Sequence, residues 1–177
     1  EAAGGGSSGY ARKGRLQPIA DDAALALAQG RAITAQELWQ DNAIWQVIRA
    51  ADTAWAPKSP SGWLIHDTLS ALIHPRQACA ALVAALAAEG IPIQAEGADE
   101  GIVLWATGVA GLEEMTAAHT RQIGAGVKGQ AALLDHDACG LPQLFAGGVH
   151  IIPHGDGTVA VGSTSEREYD NASSTDD

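Results

Sequence analysis

Two histidines, His150 and His154, flank an apolar run near the end of the chain, and Gly155-Asp156-Gly157 follows at once. An imidazole so placed can orient a carboxylate by hydrogen bonding. A metal shared by the two is excluded. On a strand, residues i and i+4 lie about 13 Å apart at about 3.3 Å each, and one ion cannot reach both at about 2 Å. At the other end, residues 4–6 are glycines, Ser7 and Ser8 follow, and Arg12, Lys13 and Arg15 add positive charge. Serine hydroxyls and main-chain amides suit anionic phosphates; the same composition also reads as a solvated loop or linker. A third segment, 102–108, is an unbroken apolar run closed by Ala106-Thr107-Gly108.

Other patterns carry no chemistry. Residues 124–129 spell G-x-G-x-x-G, but a dinucleotide fingerprint must follow a strand and open a helix. Here the pattern follows a helical stretch and leads toward a strand. No Ser-His-Asp order, zinc-knuckle spacing or Walker loop occurs. His66, His74, His119 and His136 show no partner pattern. The five tryptophans read as core or interface positions rather than as a stacking platform, since no basic groove accompanies them.

The elements that would position these residues follow from periodicity. A short helix is expected over 22–29, stopped by Gly30. A second should start at the capping box Thr34-Ala35-Gln36-Glu37 and carry Leu38, Trp45, Ile48 and Trp55 as far as Pro57. Pro75 opens a third, with Cys79, Leu82, Val83 and Leu86 on one apolar face and Gly90 past its end. Ile91 and Ile93 predict a short strand, and 102–106 one buried on both faces. A helix over 112–122 precedes strands over 126–135 and 148–166. In the last, Val159 and Val161 alternate after the Gly155-Asp156-Gly157 turn, which predicts a β-hairpin. The expected class is α+β, with a remnant of a parallel sheet and an antiparallel sheet.

Bulk properties set limits. With 177 residues, nearly half hydrophobic, the chain can bury the core of one domain or two small ones. A net charge of −11 opposes nucleic-acid binding. Cys79 and Cys139 are too few for a disulfide framework and suggest free thiols in the cytoplasm. No apolar run approaches the roughly 18 residues of a membrane helix. The chain starts with Glu1 and reads as an internal piece of a longer protein.

Three sets of residues resemble the FAD-dependent amine oxidases, the D-amino-acid oxidase and glycine oxidase superfamily. GVKGQ at 126–130 is similar to the family's P-V-(R/K)-G-Q. HIIPHGDGTVAVGST at 150–164 is similar to its strand pair, aromatic-hydrophobic-(I/V)-P-x-x-x-G, ending in G-(S/A)-T. Glu1, the Gly/Ser loop and Gly14-Arg15-Leu16-Gln17-Pro18 follow, in order, its ribose-binding acid, Ser-containing loop and G-x-L-x-P. Ala106-Thr107-Gly108 resembles the end of the last strand of its FAD domain.

The resemblance implies a partial, Rossmann-like FAD-binding portion over 1–113 with inserted helices, and a partial antiparallel substrate domain over 114–177. It implies that Glu1 takes the ribose, that Ser7 and Ser8 face the pyrophosphate, and that the Lys13, Gly14, Arg15 and Leu16 backbone runs beside the flavin. Ala106, Thr107 and Gly108 would let the backbone approach FAD closely. His150 falls where glycine oxidases place an aromatic substrate contact, and His154 where many members carry Arg; both depart from the family. The family's first glycine-rich unit and its C-terminal part, with the Arg that clamps the substrate carboxylate, are not matched. The chain alone is therefore expected to bind FAD weakly or not at all.

The expected function is oxidation of an amine or amino-acid C–N bond by hydride transfer to FAD. The expected partner is a small amine or amino acid, with self-association left open. A D-amino-acid dehydrogenase and the oxidase half of a tRNA-modifying enzyme, suggested by Gly62-Trp63-Leu64, share these motifs. A non-catalytic α+β binding module is the competitor from another class.

Overall fold

The opening loop feeds strand β1 (Arg15–Pro18), which comes to lie in the middle of a seven-stranded sheet. The structure is a computed structural model and describes residues 6–175. After β1 come helix α1 (Asp22–Trp39), β2 (Trp45–Arg49), β3 (Trp63–Asp67), α2 (Pro75–Ala88) and α3 (Gly108–Ala118). The chain then forms β4 (Ala131–Asp135), β5 (Gln143–Ala146), β6 (Val149–Pro153) and β7 (Thr158–Gly162). The sheet order is β2-β3-β1-β5-β6-β7-β4, and every neighbouring pair is antiparallel except β1 with β5. The class is α+β. One sheet thus runs through both segments expected as domains, and the expected boundary at 113/114 lies inside α3.

Side chains alternate across a strand, so adjacent residues serve opposite faces. Leu64 packs with Leu16 and Leu144 on one face, and Ile48, Trp55 and Ile151 complete that layer. Ile65 faces the other way, with Ile19 and Ala28 of α1, and Trp45 and Trp63 border it. Covering both faces makes β3 a continuous apolar run, Trp63-Leu64-Ile65, rather than an alternating one. Trp55 ties the two halves together: its indole N–H donates to the Pro142 carbonyl at 2.8 Å.

Five local expectations differ. Asp21, whose carboxylate accepts from the Ala24 amide at 2.8 Å, caps a single helix that runs through both Gly30 and Thr34. A helical Gly costs only about 1 kcal/mol, and burial of Ala28 and Ala35 on the same helix holds it. The expected helix over Trp45 and Ile48 is instead β2. The Trp45–Val47 pair and Ile48 serve opposite core layers, which a strand allows. Ile91 and Ile93 form no strand. Neither does 102–106, which pairs with no strand among the described residues and leaves Ile102 fully exposed and Leu104 88% exposed. Finally, α2 turns Ala81 inward and leaves Cys79, Leu82, Val83 and Leu86 exposed. The hairpin of β6 and β7 is as expected, in register from His150↔Gly162 to Pro153↔Val159. No helix among the described residues is long and apolar enough to cross a membrane.

Candidate functional site

The loop before β1 folds back on the segment before α2. Ala11 and Leu72 exchange backbone hydrogen bonds at 3.0 and 2.8 Å, and the His74 amide donates to the Ser8 carbonyl at 3.3 Å. Gly9 sits at φ +67° with no room for a Cβ beside His74. This doubled strip meets the β6–β7 turn around a cavity of about 240 Å3. Its wall includes Ser7, Tyr10, Lys13, Gln77, Cys139 and Asp156.

Asp156 fastens the turn. Its Oδ1 accepts from the Thr158 amide at 3.2 Å and the Thr158 hydroxyl at 2.7 Å. Its Oδ2 accepts from the Gln77 amide group at 3.2 Å and lies 3.3 Å from His74 Nε2. The Thr158 hydroxyl bond, more than any other partner, holds the Asp156 carboxyl below the usual range. His74 caps α2: its Nδ1 accepts from the Gln77 backbone N–H at 3.4 Å. Both contacts suit a neutral ring with its proton on Nε2. His154, 3% exposed, stacks on His74 with ring centroids 4.5 Å apart, and its Nδ1 has no hydrogen-bond partner among the described residues.

The residues expected to touch FAD separate into three groups. Ser7 and Lys13 line the cavity, while Ser8 packs beside it. Ser7 and Ser8 each accept a hydrogen bond from a loop amide two residues on, at 3.2 and 3.3 Å, and keep their own hydroxyl hydrogens to donate. Gly14, Arg15 and Leu16 serve the sheet. Gly14, at φ +77°, lies too close to the Asp67 carbonyl to carry a side chain. Arg15 Nε lies 3.4 Å from Asp67 Oδ2 as an ion pair without an aligned hydrogen bond. Leu16 is core. Ala106, Thr107 and Gly108 are exposed, and Thr107 lines a separate hollow with Trp105 and Met115. Glu1 lies outside the described residues.

The two substrate-side histidines also part company. His150 stands in register with Gly162, itself opposite Ala131. These small neighbours leave a depression of about 250 Å3 beside His150, whose ring lies 4.4 Å from that of Phe145. His154 lies beyond the end of β6, buried against His74. The sequence reading missed His74, Gln77, Tyr10 and Cys139. The one local signal was His74-Pro75, a capping residue ahead of proline at the first helical position.

The structure is similar to glycine oxidase from Geobacillus kaustophilus, with a TM-score of 0.65 and 15% identity over 92% of this chain and 50% of that one. The chain folds like about half of a glycine oxidase. Iminodiacetate oxidase from Chelativorans sp. BNC1 matches with a TM-score of 0.62 and 22% identity, over 89% of this chain and 50% of that one. L-amino acid deaminase from Proteus vulgaris follows at 0.56 and 14%, over 90% and 44%. No protein-family model and no curated protein matches the chain by sequence.

Proposed function

We propose that the chain forms part of an FAD-dependent oxidoreductase that oxidises an amine or amino-acid C–N bond. In this reading residues 1–113 contribute the cofactor side and 114–177 the substrate side. One observation carries it. The Ser7–Lys13 loop and the β6–β7 turn, far apart in sequence, wall one cavity in a fold shared with glycine oxidase.

The described residues fit such a cofactor in part. Lys13 is exposed on the cavity wall and is the cation among the described residues that line it. With the Ser7 hydroxyl it suits a phosphate-bearing group. At about 240 Å3 the cavity lies below the roughly 300–1,000 Å3 of ordinary ligand pockets, so it takes one end of a dinucleotide. FAD, when bound, supplies the hydride acceptor. The chain supplies charge at Lys13 and a fixed wall at Asp156. Beside His150 it offers a depression where a substrate carboxylate can be oriented by hydrogen bond.

Replacing Lys13 by Met in the full-length protein should raise the FAD dissociation constant about tenfold, equivalent to about 1.4 kcal/mol. Flavin fluorescence titration reads this directly, with Cys79→Ser as a control on the exposed face of α2. An unchanged constant would remove the cavity from the account. A second reading, a non-catalytic binding module, draws on the exposed apolar run Ile102, Leu104 and Trp105. Its signature would be a folded full-length protein with no flavin affinity.

A further inference from the structure

The buried ring of His154 is a polar group that the proposed chemistry does not use. Its backbone is fixed, since its N–H donates to the Thr158 carbonyl at 2.8 Å. Its ring is enclosed against His74 and has an orphaned Nδ1. The charged and titratable groups around it are His74 ahead of α2 and Asp156 in its own turn. Across the cavity stand Lys13, Tyr10 and Cys139. No three His, Cys, Asp or Glu side chains among the described residues converge as a metal site would require.

We propose that the stacked pair His74–His154, joined to the β6–β7 turn through Asp156, is a proton-operated latch that closes one wall of the cavity. With both rings neutral, each His74 nitrogen has a use: Nδ1 caps α2 and Nε2 faces Asp156. A proton on His154 places a charge in a buried site whose free nitrogen has no acceptor, directly against a second imidazole. That charge loosens the joint among the hairpin, α2 and the Ser8–Ala11 strip. The joint is a feature of the cavity wall whatever ligand the cavity takes.

His154 sets the direction of the pH response. Burial first, and His74 second, lower its pKa from 6.5, while Asp156 pulls the other way. The unfolded or opened chain therefore binds the proton more readily. Closure is complete above about pH 6.5 and is lost as pH falls below it toward the depressed folded value.

Amide exchange tests this on the intact protein at about pH 7.5 and about pH 5.5, with protection corrected for intrinsic rates. Protection at the Gln77, Ala78 and Thr158 amides should fall several-fold, up to the about tenfold that one proton allows, at the lower pH. In His154→Phe, which keeps a stacked ring without a titrating nitrogen, the fall should disappear. Unchanged wild-type protection, or an equal fall in the variant, would overturn the latch. If the variant does not fold, nitrogen-15 titration of the wild-type ring decides. Protonation below the ordinary histidine range supports the latch; protonation within or above that range refutes it.

Discussion

Arg15→Ala is expected to lower the stability of the protein by about 3 kcal/mol, the cost of leaving a buried carboxylate without its cation. An exposed pair would contribute about 0–1 kcal/mol, and the Arg15 side chain is itself 30% exposed. Asp67 decides the case, because its side chain is only 4% exposed. It sits on β3 between Arg15 of β1 and Trp45 of β2. One oxygen accepts from the Ser70 amide at 2.7 Å, and the other faces Arg15. Urea denaturation of Arg15→Ala, Asp67→Asn and the double variant separates the effects. The double variant should recover part of the loss, since asparagine leaves no charge to strand. Three changes each below 1 kcal/mol would mean that the pair contributes little and would free Arg15 for the flavin.

Gly14→Ala should cost about as much, roughly 3 kcal/mol, from two sources. The φ of +77° is strained for any L side chain, and the new Cβ would enter the Asp67 carbonyl. Relaxation is blocked on both sides. The Gly14 N–H donates to the Ser70 carbonyl at 2.9 Å, and its own carbonyl accepts from the Gln143 amide at 3.1 Å. Gly62 gives the comparison: its φ is +75° but nothing lies within 4 Å of an added Cβ. Gly62→Ala should therefore show the conformational part alone, about 1 kcal/mol. Equal losses in the two variants would show that the close approach carries no energy.

These outcomes bear on what the sequence could say. The β6–β7 hairpin was legible because its signal is local: Val159 and Val161 alternate immediately after a turn whose Gly157 has φ +84°. Strand β3 was not, because burial on both faces erases the alternation. The tryptophan spacing misled for a related reason: Leu38, Trp45, Ile48 and Trp55 fit a helical period although Trp45 and Ile48 belong to opposite faces of β2. At the site, Ser7, Lys13 and the turn around His154 could be chosen as neighbours of a ligand. Their roles depended on partners distant in the chain. Gly14 and Arg15 answer to Asp67, and His154 answers to His74, contacts that no local pattern encodes. The apolar faces at 102–105 and on α2 show the reverse failure: the pattern is correct for burial, and nothing among the described residues covers it.

This chain is proposed to form part of a flavin-dependent oxidation site. An absorbance spectrum of the longest natural polypeptide containing it, purified without added cofactor, tests this most directly. Flavin bands that bleach on addition of glycine or a D-amino acid are the predicted result. A protein that is colourless, and stays so when FAD is supplied, would contradict it.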